Sequence, residues 1–302
     1  PGTTKISIFS LPDALPISNE AVACGKCHKT EFDLWANSQH AWANRLISTS
    51  RDRPAFHPDR VLVHGSFTNT MRHADGFFEI TTAGGRSGTA SVHRAEAVIG
   101  IEPLRQYLVP FPGGRLQVLD VSYDPIHDEW FNAQGDEDRQ PHEWGYWKNR
   151  SMTWNVQCAY CHMTGLEKNY DPAADAYSTT WRAMGISCTQ CHGTMPAHMA
   201  NPKAPVVADE KRTRGQILHA CGSCHSRREE LTGRFQARDD FFDHYRLSLP
   251  DLGNTFHADG QVWDEDFEFT SFLTSRMGHK GVHCLDCHNP HSGKLIDRKS
   301  VV

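Results

Sequence analysis

Five segments of this 302-residue chain repeat one pattern: two cysteines with two residues between them, then a histidine. They are Cys24–Cys27–His28, Cys158–Cys161–His162, Cys188–Cys191–His192, Cys221–Cys224–His225 and Cys284–Cys287–His288, and together they use all ten cysteines. Two thiols one helical turn apart suit the two vinyl groups on one porphyrin edge. The adjacent histidine can then turn its imidazole onto the iron as proximal ligand. C-x-x-C-H is accordingly the attachment motif of c-type haem. Four-cysteine zinc knuckles would leave one pair over and give no reason for the histidine. At this chain's histidine frequency, five such coincidences have odds on the order of one in a million. A thioredoxin-like dithiol needs a βαβ setting that is missing here. The reading is five covalently bound haem c groups.

Each iron has one more axial position. A side chain there makes the haem low-spin and suited to electron transfer, whereas an open position admits small molecules. Of nineteen histidines, five close the motifs and fourteen remain, more than enough for five distal sites. His291, in "CHNPH", lies too near its own motif to reach the far face of that haem easily, so it reads as ligand to a neighbour. His40, in "WANSQHA", starts a helix's length from its own motif, so as a ligand it would serve an iron of the later cluster and tie the first motif to the other four. His73, His257, His279 and His283 are further candidates, as is Met277, which would raise the potential of its haem. One haem could lack a protein ligand altogether, and chemistry would then occur there.

The elements that must hold these residues read unevenly along the chain. Hydrophobic residues are 38% and mean hydropathy is −0.56, a thin supply of core that five porphyrins would supplement. A haem-free chain is therefore expected not to fold. The balance of 31 basic and 36 acidic residues shows no basic stripe for nucleic acid. No apolar run approaches the roughly 18 residues of a membrane span. "EFDLWANSQHAWANRL" places Phe32, Leu34, Trp35, Trp42 and Leu46 at roughly helical spacing, and "EDFEFTSFLTSRM" is a second helix candidate. "DGFFEITTAGGRSGTASVHRAEAVIG" and "LRQYLVPFPGGRLQVLDVSYD" read as hairpins, the second turning at Pro112-Gly113-Gly114. The expected fold is mainly α and irregular, with short helices around five haems and a small antiparallel β insertion. Its divisions are an N-terminal segment for haem 1 over 19–59, the β-rich insertion over 60–135 and a domain for haems 2–5 over 136–296.

Both ends read as foreign. Residues 1–18 lack the basic start and apolar run of a signal peptide. Asp13-Ala14-Leu15-Pro16-Ile17 can be encoded by a sequence whose reverse complement reads Asp297-Arg298-Lys299-Ser300-Val301. That is the mark of one sequencing adaptor read in both directions, so 1–18 and 297–302 are expected to be foreign tails on an internal fragment.

The stretches "CGKCHKTEFDLWANSQHA", "QYLVPFPGGRLQVL", "WNVQCAYCHMTG", "SCTQCHGTMPAH", "CGSCHSRR" and "DGQVWDEDFEFTSFLTSRMGHKGVHCLDCHNPHSGKL" resemble, in order, the multihaem cytochromes related to cytochrome c554. The likeness is greatest to those fused to tetratricopeptide repeats. The resemblance implies electron transfer, and a longer protein with further haem motifs and helical repeats. It also implies distal roles for His40, for His198 in the "CHG…H" pattern, and for His64 in "VHGSF". Thr194 and Met195 stand where the family tends to show Pro-Gly, which puts the loop carrying His198 in doubt. All five motifs end in histidine, unlike the C-x-x-C-K of pentahaem nitrite reductases, which argues against that reaction.

The acidic residues Asp128, Glu129, Asp136, Glu137 and Asp138 read as a solvated loop, and Arg227 and Arg228 as counter-charges to haem propionates. The functional expectation is a multihaem c-type cytochrome that relays electrons between redox partner proteins in the periplasm or on the cell surface. The alternative is an oxidoreductase with one open haem acting on a small nitrogen or sulfur species.

Overall fold

A computed structural model describes residues 18–86, 88–203, 212–250, 255–263 and 267–296. Apart from Ser18, the stretches read as foreign tails lie outside the described residues. Three short helices open the chain: α1 (Asn19–Gly25), α2 (Lys29–Ala36) and α3 (Thr49–Phe56). Nine strands follow one another or interleave: β1 (Asn44–Leu46), β2 (Arg60–His64), β3 (Phe67–Ala74), β4 (Phe77–Gly84), β5 (Ser91–Arg94), β6 (Ala97–Ile99), β7 (Arg105–Phe111), β8 (Arg115–Asp124) and β9 (Glu129–Asn132).

These strands form two antiparallel sheets, ordered β2-β3-β4-β5 and β1-β6-β7-β8-β9. Strict alternation builds the first sheet: Phe78, Ile80 and Thr82 of β4 point inward while their neighbours do not. In the second sheet both faces are covered. Tyr107, Val109, Leu119, Val121 and Tyr123 meet Met71, Phe78 and Ile80 of the first sheet, with Phe56, Trp130 and Trp147 filling the centre. On the opposite face Leu108 and Val118 meet Trp154, Ala159 and Met163. Burial on both sides explains the apolar run Tyr107–Phe111 of β7 and the unbroken buried runs Gln117–Leu119 and Val121–Tyr123 of β8. The turn between them needs glycine. Gly113 and Gly114 have φ of +74° and +67°, and a Cβ on Gly114 would lie 2.1 Å from the Tyr177 carbonyl oxygen.

The mainly α expectation is wrong. Helix and strand are nearly equal, 27% and 28%, and the strands lie in five antiparallel sheets. Two physical causes account for this. The haem-motif segments fold as helical turns of four to nine residues, so they add little helix. They also carry two-stranded ladders of their own, Met163–Thr164 with Ala183–Met184, Tyr170–Asp171 with Ala176–Tyr177, and Arg228–Glu230 with Tyr245–Leu247. The β layer also takes β1 from upstream of residue 60, pairing Asn44 with Ile99.

An ion pair fastens β1 and α3 to this layer. Asp52 accepts from Arg45 at 2.7 and 2.8 Å, from the Ser48 amide at 2.8 Å and from the Tyr107 hydroxyl at 3.2 Å. Burial raises the Tyr107 hydroxyl pKa well above its ordinary value, with Asp52 adding to the shift, so it stays a donor. The multihaem segments, by contrast, have small apolar clusters, one around Ala21, Trp35, Ala41 and Trp42 and one around Leu218, Phe241, Tyr245 and Phe269.

Candidate haem-binding site

Each motif begins as a helical turn. In motifs one, four and five the amides of the second cysteine and the histidine both point to the carbonyl of the first cysteine. Motif two follows the helix α4 (Trp154–Gln157) and occupies α5 (Ala159–His162), and motif three is α6 (Cys188–His192). The turn sets both thiols on one side with the imidazole beside them, the layout that a porphyrin edge and its iron require. Among the described residues no three cysteine or histidine ligand atoms converge as a metal cluster. The one three-residue group that does is Asp124, His127 and Glu129 on the β8–β9 turn. Among the described residues the cysteines form no four-thiol group of the kind a structural zinc site uses.

Three motif histidines face a second histidine. The rings of His28 and His198 have centroids 6.1 Å apart, those of His225 and His40 6.2 Å, and those of His192 and His291 6.2 Å. With a metal–nitrogen bond of about 2 Å and a ring radius of roughly 1 Å, two imidazoles on opposite sides of one metal have centroids about 6 Å apart. Rings in edge contact can share this distance, so what points to an iron is its recurrence, each time between a motif histidine and a histidine from outside the motifs. The spacing fits an iron between each pair. The ring planes differ by 46°, 63° and 6° respectively.

For His40, His162 and His192 the surroundings favour the neutral imidazole, the form in which histidine binds metal. Burial lowers the pKa of His40, and His225 lowers it further. Burial likewise lowers His162 and His192. The backbone orients two of the rings. His162 Nδ1 lies 2.9 Å from the Ala43 carbonyl oxygen, and His40 hydrogen-bonds the carbonyl of Pro290. Proline has no amide hydrogen, so the imidazole N–H must be the donor, leaving the other nitrogen as a lone-pair donor to metal. Sequence reasoning missed both partners, because a carbonyl leaves no residue-type signal.

Local folding explains how His40 reaches a motif nearly two hundred residues away. The expected helix over 31–46 stops at Ala36, where Ser38 Oγ bonds the Trp35 carbonyl oxygen at 2.7 Å and competes with the helix ladder. His40 thus lies in a turn. Trp35 Nε1 donates to the Ile186 carbonyl at 2.7 Å and the Ile186 amide donates to the His40 carbonyl at 2.8 Å, clasping this turn to the approach of motif three. His198 lies on α7 (Pro196–Ala200), whose N-cap Met195 adopts a left-handed φ of +40°.

The structure does not bring every candidate to a motif. His64 Nε2 lies 2.9 Å from the Glu137 carbonyl oxygen. His73 packs on Phe78 at 4.4 Å and His257 on Trp263 at 4.5 Å. His279 ends a short helix, His283 lies beside Asp286, and Met277 is exposed. Among the described residues no histidine ring faces His162 or His288.

Thiols of different motifs approach one another. Cys24 is within hydrogen-bond reach of Cys188, Cys161 of Cys224, and Cys221 of Cys284. Cys191 is close enough to act electrostatically on both Cys221 and Cys224. Motif four therefore neighbours motifs two, three and five, while motif one neighbours motif three.

Haem-attachment turns with opposed histidine pairs define a multihaem c-type cytochrome. The comparisons agree. The family model described as cytochrome c554 and c-prime matches residues 23–62 and 130–193, which hold the first three motifs. The chain is 21% identical, over 317 aligned residues, to the dissimilatory sulfite reductase MccA of Wolinella succinogenes, covering 92% of this chain and 42% of that protein. Its fold resembles the crystal structure of the outer cell wall cytochrome OcwA, with a TM-score of 0.56, 19% identity, and coverage of 91% of this chain and 56% of that one. The chain is a multihaem c-type cytochrome that is similar to the cytochrome c554 and c-prime family over the matched residues, and it spans about half the length of the relatives it matches.

Proposed function

We propose that this chain carries five haem c groups, one per motif, and relays electrons among them and between redox partner proteins. The cysteines of each motif are the thioether anchors, and His28, His162, His192, His225 and His288 the proximal ligands. His198, His291 and His40 are the distal ligands of the first, third and fourth haems. The observation that carries this reading is the repeated spacing of 6.1–6.2 Å between opposed imidazoles. Bound haem supplies a reversible one-electron couple. The chain's own groups orient the His162 and His40 rings, through the Ala43 and Pro290 carbonyls, and burial favours the neutral form of His40, His162 and His192.

An extracytoplasmic location suits both the covalent haems, which are attached outside the cytoplasmic membrane, and the likeness to an outer cell wall cytochrome. Among the described residues no helix is long and apolar enough to cross a membrane. The second reading is an oxidoreductase with an open haem at motif two or five, where no described histidine faces the proximal one. The likeness to a sulfite reductase makes a small sulfur species the first substrate to try.

Haem stoichiometry of the matured chain, by pyridine haemochrome against protein mass, tests the relay. Five haems per chain are expected, and fewer would refute the assignment. Adding cyanide or nitric oxide to the oxidised protein separates the two readings. A change confined to one or two haems supports the enzyme, and an unchanged spectrum removes it.

A further inference from the structure

Between motifs two and four lies a polar group that electron-transfer ligation does not require. Tyr160, inside motif two, and Tyr245, on the ladder strand Tyr245–Leu247, hydrogen-bond through their hydroxyls. The guanidinium carbon of Arg228 stands 3.8 Å from the Tyr245 ring centroid and 4.7 Å from that of Tyr160. Its Nε donates to the Ser223 carbonyl oxygen at 2.7 Å, which ties it to the residue before Cys224. Cys161 Sγ lies 3.8 Å from the Cys224 carbonyl oxygen, so the attachment edges of the two motifs meet here. Arg228 acts electrostatically on Cys161, Cys224, Tyr160 and Tyr245 alike.

Two features make this cation unusual. Among the described residues no carboxylate is within ion-pair distance of Arg228. The nearby Glu230 is engaged by Lys168 at 2.6 Å and the neighbouring Glu229 by Arg246. The guanidinium is instead held by two aromatic faces and a carbonyl, a setting that retains its full charge and limits its access to water. Arg228 also points to the cysteine side of the motifs, which the expectation of a propionate counter-charge did not foresee.

We infer that Arg228 is an electrostatic control residue shared by two haems, raising the reduction potentials of those on motifs two and four together. The inference rests on the haem assignment above. A fixed positive charge at the attachment edges of two haems would favour the state with the extra electron, and partial exclusion of water strengthens the effect. Motif four also neighbours motifs three and five, so the same charge makes the junction of the network the favoured place for an electron to rest. The two tyrosines position the guanidinium and carry no charge themselves, since burial holds both hydroxyls protonated.

The test is a spectroelectrochemical titration of the full, matured chain as wild type, Arg228→Gln and Arg228→Lys, with haem count and low-spin EPR recorded for each. In Arg228→Gln two of the one-electron waves should move to lower potential, with haem count and low-spin signals unchanged. Arg228→Lys keeps the charge and should return both waves towards wild type. Waves that stay in place in Arg228→Gln, movement of fewer than two, or an equal fall in Arg228→Lys would overturn the inference. If the Gln variant loses haem, Arg228→Met takes its place, with the same two waves expected to fall and unmoved waves overturning the inference. A wild-type chain that lacks five haems would instead overturn the haem assignment, and this inference with it.

Discussion

His40 is held at three points: its ring by the Pro290 carbonyl, its carbonyl by the Ile186 amide, and its turn by the Ser38 hydroxyl on the Trp35 carbonyl. That degree of support is what a ligand needs if it is to stay at its metal without its own motif nearby. Replacing His40 by alanine should convert one low-spin haem to high-spin, with cyanide binding gained and the haem count unchanged. A spectrum identical to wild type would remove His40 from the ligand set. Spacing from its own motif picked out His291 as reaching a neighbour, and the family pattern picked out His40 and His198. The partners of His40 and His291 and the orienting carbonyls were not legible, because pairing across the chain depends on the path of the backbone. At the same scale, Asp52→Asn removes one member of a pair whose side chains are 3% and 0% exposed. It should cost about 3–5 kcal/mol of stability. Denaturant unfolding followed at the tryptophans would measure it, and a loss under about 1 kcal/mol would contradict the burial argument.

Among the elements, the hairpins were legible and the helices only in part: the second candidate run does carry the helix Phe269–Thr274, whereas the first stops short. β-Branched and aromatic alternation around Gly-Gly carries its own turn chemistry, whereas the run over 31–46 had helical spacing that Asn37 and Ser38 interrupt. The loop before α7 illustrates how a departure from a family pattern is accommodated. Met195 takes a backbone conformation that glycine adopts without strain, and His198 still faces His28. Met195→Gly should remove that strain, a gain of about 1 kcal/mol offset in part by glycine's extra unfolded-state entropy. The thermal midpoint of the matured chain should rise or hold, and a fall of several degrees would show that the Met195 side chain matters more than its backbone. Strand β5 supplies a pH test. His93 stacks on Phe111 and meets Trp147, and burial, followed by the charge of Lys148, pushes its pKa from 6.5 down to about 4. Above pH 6.5 the group is neutral folded or unfolded and contributes no slope. As pH falls from 6.5 towards 4 the unfolded chain binds the extra proton, so stability is lost across that window. His93→Phe should flatten this part of the stability profile, and an unchanged slope would place the acid sensitivity elsewhere.

For the whole molecule, the uneven distribution of apolar clusters divides the labour between polypeptide and cofactor. The two sheets carry a protein-like core, and the haem-motif segments contribute two clusters of four buried residues each. The thin overall hydropathy suggested that nothing would fold without haem, but that average concealed a β layer with ample core of its own. Limited proteolysis of the chain made without haem maturation should therefore leave a resistant fragment over about residues 44–155, with both flanks digested. Uniform digestion would show that the layer depends on the haems after all. The central claim is that at least three irons are held between two histidines, and EPR of the oxidised, matured protein with spin quantitation tests it most directly. The account expects at least three low-spin haems per chain. The near-parallel His192 and His291 rings should give the most rhombic signal, and the more crossed His40 and His225 rings a more anisotropic one. Fewer than three low-spin haems in a chain that carries all five would contradict it.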